Sequence, residues 1–332
     1  MTIPAKAFPA IDPALTTRFA AALDALWPAR ERSTGRFGIA VSGGPDSTAL
    51  LLLADAACPG GIEAATIDHG LRAESAAEAR AVAALCARLG VPHATLSVEV
   101  APGNIQSEAR IARYAALVKW TESRKLGAIL TAHHADDQAE TLLLRLNRAS
   151  GVAGLAGARA RGVVPGTGLP LLRPLLGWRR SELVEIVAAA GIAAADDPSN
   201  RDDRYDRARL RKALAGVDWL DVPAIAESAM HLADADSALD WAAEREWREC
   251  VQLQGLGTLY RPRAPRAVAL RVIARIVADL DGTPPRGGAV ATVFEALRTG
   301  RPASIGSLVA RTGPHGWSFN KAPRRAPPRP SA

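Results

Sequence analysis

Four short apolar runs, each followed by a helical segment, fill residues 36–148, and this alternation constrains the fold more than anything else in the chain. RFGIAV (36–41), IEAATID (62–68), HATLSV (93–98) and LGAILTA (126–132) have the aliphatic content and length of buried strands. The helical segments are 47–57, 74–90, 106–125 and about 136–148, and Gly90 stops the second. Strands separated by helices cannot pair as hairpins, so they align in parallel with helices on both faces. The fold expected is α/β with a doubly wound, mostly parallel sheet. Ligands of such sheets bind beyond the carboxyl ends of the strands, so the turns after residues 41, 68 and 132 should line one site.

The flanking segments are read by the same periodicities. A helix over 13–29 precedes the first strand. After Ser150, GVAGLAGARARGVVPGTGLPLLRP (151–174) is rich in Gly and Pro and reads as a mobile connection with short strands. A helix starting near Ser181 puts Leu183, Ile186, Val187 and Ala190 on one face and ends at Gly191. Residues 195–214 form a polar loop entering a basic helix, and from about residue 218 the pattern is helical over 223–250, 265–280 and 287–299. A first domain, 1–217, is therefore expected before a mainly helical second one, 218–332. The end, APRRAPPRPSA (322–332), is Pro/Arg-rich and reads as disordered.

Charge and cysteine content narrow the class. The net charge is +7, and residues 301–332 hold six Lys/Arg with no Asp or Glu. RDDRYDRARLRK (201–212) adds six bases against three acids. Concentrated basic charge suits a nucleic-acid partner, whereas a solvated basic face is the simpler alternative. The three cysteines, Cys58, Cys86 and Cys250, form no CxxC, which argues against a disulfide framework, a structural zinc site and a CxxC redox centre. The N-terminus lacks the basic and apolar regions of a signal peptide, and no run of about 18 uncharged apolar residues offers a membrane span. The expectation is a cytoplasmic protein without a membrane partner, and a homodimer is compatible with the sequence.

Four segments carry chemistry. Ser42-Gly43-Gly44-Pro45-Asp46-Ser47 joins the first strand to its helix. Its glycines let backbone amides approach an anion, the helix N-terminus favours negative charge, and Ser47 adds a hydroxyl. It has neither the lysine of a Walker loop nor the spacing of a dinucleotide turn. The plain alternative makes Asp46 or Ser47 an N-cap. TAHHADDQAETLLLRL (131–146) places His133, His134, Asp136, Asp137 and Glu140 at the start of a helix, with Asp136 and Glu140 on one face. Three carboxylates exceed what a cap requires, and they suit Mg²⁺ or a cationic substrate. In SEARIARYAALVKW (107–120), Ile111, Tyr114, Ala115 and Val118 form the expected buried face. Arg110 and Arg113 project from another side, where they suit phosphate or open solvent. TIDHGLR (66–72) ends the second strand with His69, Gly70 and Arg72, where a nucleotide base or sugar could rest.

The first of these segments resembles S-G-G-x-D-S, the signature of the PP-loop (N-type) ATP pyrophosphatases, whose fold is adenine nucleotide alpha hydrolase-like. That resemblance implies that residues 42–47 hold the pyrophosphate of ATP while the α-phosphate is transferred as AMP. It also implies that Asp46 acts through Mg²⁺, which would reverse the sign of its interaction with phosphate. A longer ordered set resembles the tRNA(Ile)-lysidine synthetase family. It comprises S-G-G-x-D-S (42–47), D-H-G-L-R (68–72), A-R-x-x-R-Y (109–114), H-H-x-D-D-Q-x-E-T (133–141), R-P-L-L (173–176) and D-P-S-N (197–200) before an Arg-rich helix. The likeness spans residues 36–215 and is weak at the C-terminal end.

This family resemblance implies adenylation of C2 of the wobble cytidine in a tRNA(Ile) CAU anticodon, followed by attack of the amine of free L-lysine and release of AMP. It implies ATP contacts from Ser42, Gly43, Gly44, Pro45, Asp46, Ser47 and His69, and Mg²⁺ held by Asp46 and Asp136. Arg110 and Arg113 would meet phosphate. Asp136, Asp137 and Glu140 are the catalytic acids, with Asp137 and Glu140 receiving lysine. Arg207, Arg209 and Arg211 would contact tRNA, as would the 218–332 domain and its basic tail. Where the family has R-N-x-x-R, this chain has Arg207-Ala208-Arg209-Leu210-Arg211, and its usual G-S-G is Ala149-Ser150-Gly151. The rivals are a PP-loop tRNA thiolase, which commonly needs CxxC or catalytic cysteines, an amide-forming PP-loop ligase, and a non-catalytic RNA-binding protein, which would not need an intact loop.

Overall fold

The computed structural model describes residues 9–28, 35–68, 73–98, 105–195, 206–214, 216–255 and 257–322. The chain forms two compact units, Met1–Ala233 and Asp234–Ala332. In the first unit, α1 (Pro13–Leu26) precedes β1 (Phe37–Ala40), α2 (Pro45–Ala57), β2 (Ile62–Asp68), α3 (Ala73–Leu89), β3 (His93–Ser97), α4 (Ile105–Arg124), β4 (Ile129–Leu130) and α5 (Ala135–Leu146). Next come α6 (Val152–Leu155), β5 (Arg161–Val163), β6 (Pro170–Leu172), α7 (Arg180–Ala189) and α8 (Asp206–Leu214). The division between units falls inside α9 (Val222–Cys250), beyond the change of pattern near residue 217.

The six strands run in the order β3-β2-β1-β4-β6-β5, every pair parallel except the edge pair β5–β6. The Gly/Pro-rich stretch, read as a mobile connection with short strands, supplies two three-residue strands of the sheet. Leu171 and Leu172 of β6 are buried on its two faces and pair with Ile129 and Leu130 of β4. Side chains alternate in the period of two that a strand imposes. Phe37, Ile39, Ala64, Leu130 and Leu172 face a core that also takes Phe19 and Leu23 of α1, the buried run Leu50–Leu53 of α2, Val82 and Leu85 of α3, and Leu183, Ile186 and Val187 of α7. Ala65, Ile129 and Leu171 face the other side, under α4.

The buried face of α4 differs from the one expected. Tyr114, Leu117, Trp120 and Thr121 are buried, whereas Ile111 is 60% exposed and Ala115 is also exposed. Trp120 decides the rotation. Its ring lies over Gly38 of β1, where a Cβ would come within 2.4 Å of the indole, so the glycine makes the notch into which the helix seats.

In the second unit, α10 (Arg266–Asp281) and α11 (Gly287–Arg298) pack on five antiparallel strands. These are β7 (Val251–Gln254), β8 (Gly257–Tyr260), β9 (Ala303–Ile305), β10 (Leu308–Gly313) and β11 (Gly316–Lys321), in the order β7-β8-β11-β10-β9. The expected helices are therefore joined by a sheet that their pattern did not announce. Val272, Ile273, Ile276, Phe294, Trp317 and Phe319 fill its core. No helix among the described residues is long and apolar enough to cross a membrane.

Candidate active site

In the first sheet the strand order reverses between β1 and β4, and the turns after these two strands carry the two richest motifs. A crevice opens at such a reversal because neighbouring connections leave in opposite directions. After β1, Gly43 adopts φ +90°, a conformation costly for any residue with a side chain. Gly44 is the N-cap of α2, Pro45 begins the helix, and Asp46 lies in its first turn. Neither Asp46 nor Ser47 is the cap. Instead the buried Ser47 hydroxyl accepts from Ser42 N at 3.1 Å, donates to Gly44 O at 3.1 Å, and lies 3.1 Å from the Ser42 hydroxyl. These bonds fold the turn over the α2 N-terminus, an arrangement suited to an anion.

After β4, Thr131–His134 lead into α5. His134 is 1% exposed, with Nε2 at 3.6 Å from Asp46 Oδ2 and 3.5 Å from Asp137 Oδ2, and Nδ1 at 3.6 Å from Asp136 Oδ2. Burial disfavours its charged form, but the three carboxylates outweigh burial and raise its pKa to about 9. Its neighbour goes the other way. Burial, with the positive charges of Arg173, Arg110 and Arg207, lowers His133 to about 4, against the opposing pull of Asp137. Two adjacent histidines thus divide the site into an acidic side and a basic side, a separation typical of residues with different tasks.

The three acids of α5 have distinct partners. Asp136 accepts from Arg179 Nε and Nη2 at 3.2 and 3.1 Å and from Arg180 N at 2.8 Å. Burial would raise its pKa, yet His134 and these two arginines hold it well below the usual carboxylate range. Asp137 accepts from His134 N at 3.3 Å. Glu140 is buried and binds Arg211 of α8 through both oxygens, with Oε2 at 3.1 Å from Nη2. Burial raises the Glu140 pKa and Arg211 opposes that rise. Arg211 Nη2 also lies 3.6 Å from Asp137 Oδ1, so Asp137 and Glu140 share a cation while Asp136 turns to α7.

The arginines divide likewise. Arg110 lies over the Tyr114 ring at 5.0 Å, on the His133 side, and Arg113 stands one turn further along the exposed face of α4. Arg207 donates to Thr141 Oγ1 at 3.3 Å, Arg209 pairs with Asp206 of its own helix, and Arg211 points inward to α5. Ala208 is 3% exposed, so the position where the family has Asn is a packing position on α8. His69, Gly70 and Arg72, the D-P-S-N segment (197–200) and the tail beyond residue 322 lie outside the described residues.

The sequence pattern gives no role to Arg179 or Arg180. Arg180 opens α7, with its Nε 3.9 Å from Asp46 Oδ1. Two arginines at the positive end of a helix run against its dipole unless acids answer them, and that mismatch is the signal by which they could be found. Asp46 Oδ1 itself is buried with no hydrogen-bond partner among the described residues. A carboxylate oxygen that accepts no hydrogen bond from them, 3.9 Å from the Arg180 guanidinium and beside the α2 N-terminus, fits Mg²⁺. Among the described residues no group of three or more His, Cys, Asp or Glu could hold a metal, so nucleotide phosphates and water would complete the shell, as Mg²⁺ commonly requires.

The PP-loop domain family matches residues 15–217. The tRNA(Ile)-lysidine synthase of Novosphingobium aromaticivorans is 48% identical over 301 residues, covering 90% of this chain and 92% of that protein. The chain belongs to the tRNA(Ile)-lysidine synthase family. The family's Zymomonas mobilis member is 40% identical over 298 residues, covering 88% and 90% of the two chains. A solved U34-tRNA thiolase from Methanococcus maripaludis is similar in fold, with TM-score 0.52 and 13% identity over 66% of this chain and 78% of that one. For a tRNA(Ile)-lysidine synthase family chain with a PP-loop, ATP is the co-substrate.

Proposed function

We propose that this chain is a cytoplasmic ATP-dependent ligase that converts the wobble cytidine of the tRNA(Ile) CAU anticodon to lysidine. The observation that carries the reading is the junction of the Ser42–Ser47 turn with the acidic start of α5, made by Asp46 and His134 where the strand order reverses. The oxygen on C2 of the cytidine attacks the α-phosphorus of ATP, and pyrophosphate leaves. The amine of free lysine then adds at C2, loses its surplus protons, and AMP departs with the former C2 oxygen.

In this proposal the turn amides and Ser47 hold the pyrophosphate at the α2 N-terminus. Arg110 and Arg113, on the basic side, meet phosphate, and Asp137 with Glu140 receives the lysine ammonium. Arg207 and Arg209 face tRNA. Asp46 would hold Mg²⁺, which when bound neutralises developing phosphate charge. Asp136, engaged by Arg179 and Arg180, secures α7 to α5. Protonated His134 keeps Asp46, Asp136 and Asp137 together without mutual repulsion.

Thiolation is the reading these cysteines do not favour. Cys58 caps the end of α2 opposite the turn, and Cys86 is buried, its thiol pushed up to about 12 by desolvation and Asp55. Cys250 is buried in the second unit. The test is exchange of labelled pyrophosphate into ATP. Exchange should require a tRNA(Ile) transcript and should fall about 100-fold or more in Asp46→Asn, the scale on which lost transition-state electrostatics is felt. tRNA affinity should change little. Wild-type exchange in Asp46→Asn, or exchange without tRNA, would contradict the proposal.

A further inference from the structure

The N-termini of α2, α5 and α7 meet around Asp46, which lies in the first turn of α2. His134, the N-cap of α5, has Nε2 3.6 Å from Asp46 Oδ2, and Arg180, the first residue of α7, has Nε 3.9 Å from Asp46 Oδ1. Protonated His134, Arg179 and Arg180 match Asp46, Asp136 and Asp137 one for one. The positive poles of the three helices are left unanswered. The two arginines at the start of α7 are engaged differently. Arg179 commits its fork to Asp136, through Nε and Nη2 at 3.2 and 3.1 Å. Arg180 gives Asp136 only its backbone N–H, at 2.8 Å, and its guanidinium makes no hydrogen bond among the described residues.

A guanidinium fixed at its backbone and unbonded at its tip is placed for a ligand. The Arg180 side chain is 38% exposed, and with Pro45 of the Ser42–Ser47 turn it borders a hollow of about 290 Å³. The other lining residues are alanines, valines and Ile192, so no side chain there competes for the guanidinium. Helices α2 and α7 pack on one face of the sheet and α4 on the other. The phosphates within reach of α7 are therefore those at the α2 N-terminus, whereas Arg110 and Arg113 serve the α4 side.

We propose that Arg180 is a further catalytic residue, which grips the departing pyrophosphate in the adenylation step; this rests on the reading of residues 42–47 as the ATP loop. As the cytidine C2 oxygen bonds to the α-phosphorus, the bond from that phosphorus to the bridging oxygen breaks. Its electron pair leaves with the pyrophosphate, on which negative charge grows. The Arg180 N–H groups answer that charge, and a planar fork can span two phosphate oxygens where a point charge cannot. Asp136 is the positioning residue, because it holds both the Arg180 backbone and the neighbouring Arg179 fork.

Equilibrium dialysis of labelled pyrophosphate against the full-length protein, with Mg²⁺ present, tests the contact. Arg180→Gln should weaken pyrophosphate binding about ten- to a hundredfold, the worth of a charge-assisted hydrogen bond, and leave AMP binding unchanged. Arg180→Lys should recover part of the loss. In the wild type, pyrophosphate should shield Arg180 from phenylglyoxal, read by mass spectrometry, and AMP should not. That measurement decides the matter alone should the variant not fold. Undiminished pyrophosphate binding in folded Arg180→Gln, an equal loss of AMP and pyrophosphate, or an unshielded Arg180 overturns the proposal. Pyrophosphate binding that depends on Arg180, in a protein that transfers no lysine to tRNA, would sink the lysidine reading and leave the contact intact. Lysine transfer by the wild type, with pyrophosphate binding unaltered in Arg180→Gln, would sink the contact alone.

Discussion

His134 shows how one residue can be fixed by its neighbours' charge. An imidazole 1% exposed would ordinarily be neutral, yet Asp46, Asp136 and Asp137 surround it and lift its pKa to about 9. In an unfolded chain histidine titrates near ~6.5. Its contribution to stability is therefore fully present below about pH 6.5 and is lost as pH rises through about 9. The thermal midpoint of wild type should exceed that of His134→Gln by most below pH 6.5, and the gap should narrow above pH 9. A gap that widens with pH would reverse the assignment. The sequence showed the histidine pair and the acids beside it, but the opposite fates of His133 and His134 depend on Arg173 and Asp46, which only the fold brings near.

Elements were legible where a single chain segment sets its own period. The first four strand–helix units, the basic helix α8 and the three long C-terminal helices all follow from local patterning. The rotation of α4 was not, because two helical stripes on it fit the same spacing and Gly38, on another element, selects between them. Arg179 and Arg180 escaped notice for a similar reason: their partner Asp136 lies more than forty positions away. The short strands of the second unit, three to six residues each, carry too few alternations to show a period. The Gly38 notch gives a test at this scale. Gly38→Ala drives a methyl into the Trp120 ring and should cost about 1–3 kcal/mol, the usual penalty of overpacking, read as a lower urea midpoint. An unchanged midpoint would show that α4 is not seated by that contact.

For the whole molecule, the first unit brings together the Ser42–Ser47 turn at the start of α2, the acids of α5, Arg110 on α4 and Arg211 on α8. The family likeness extends past this unit, since 90% of the chain aligns with the Novosphingobium relative. The second unit has a core of its own, and the sequence over residues 301–332 holds six Lys/Arg and no acid. Each part alone has a plain explanation, a cap, a surface ion pair or a solvated face. Their meeting at the point where the strand order reverses does not. The direct test is incorporation of labelled lysine into a tRNA(Ile) transcript bearing the CAU anticodon, with ATP and Mg²⁺. Lysine should enter the tRNA with release of AMP and pyrophosphate, and a transcript with the wobble cytidine replaced by uridine should accept none. Soluble, folded protein that binds the transcript and splits ATP but transfers no lysine would contradict the proposal.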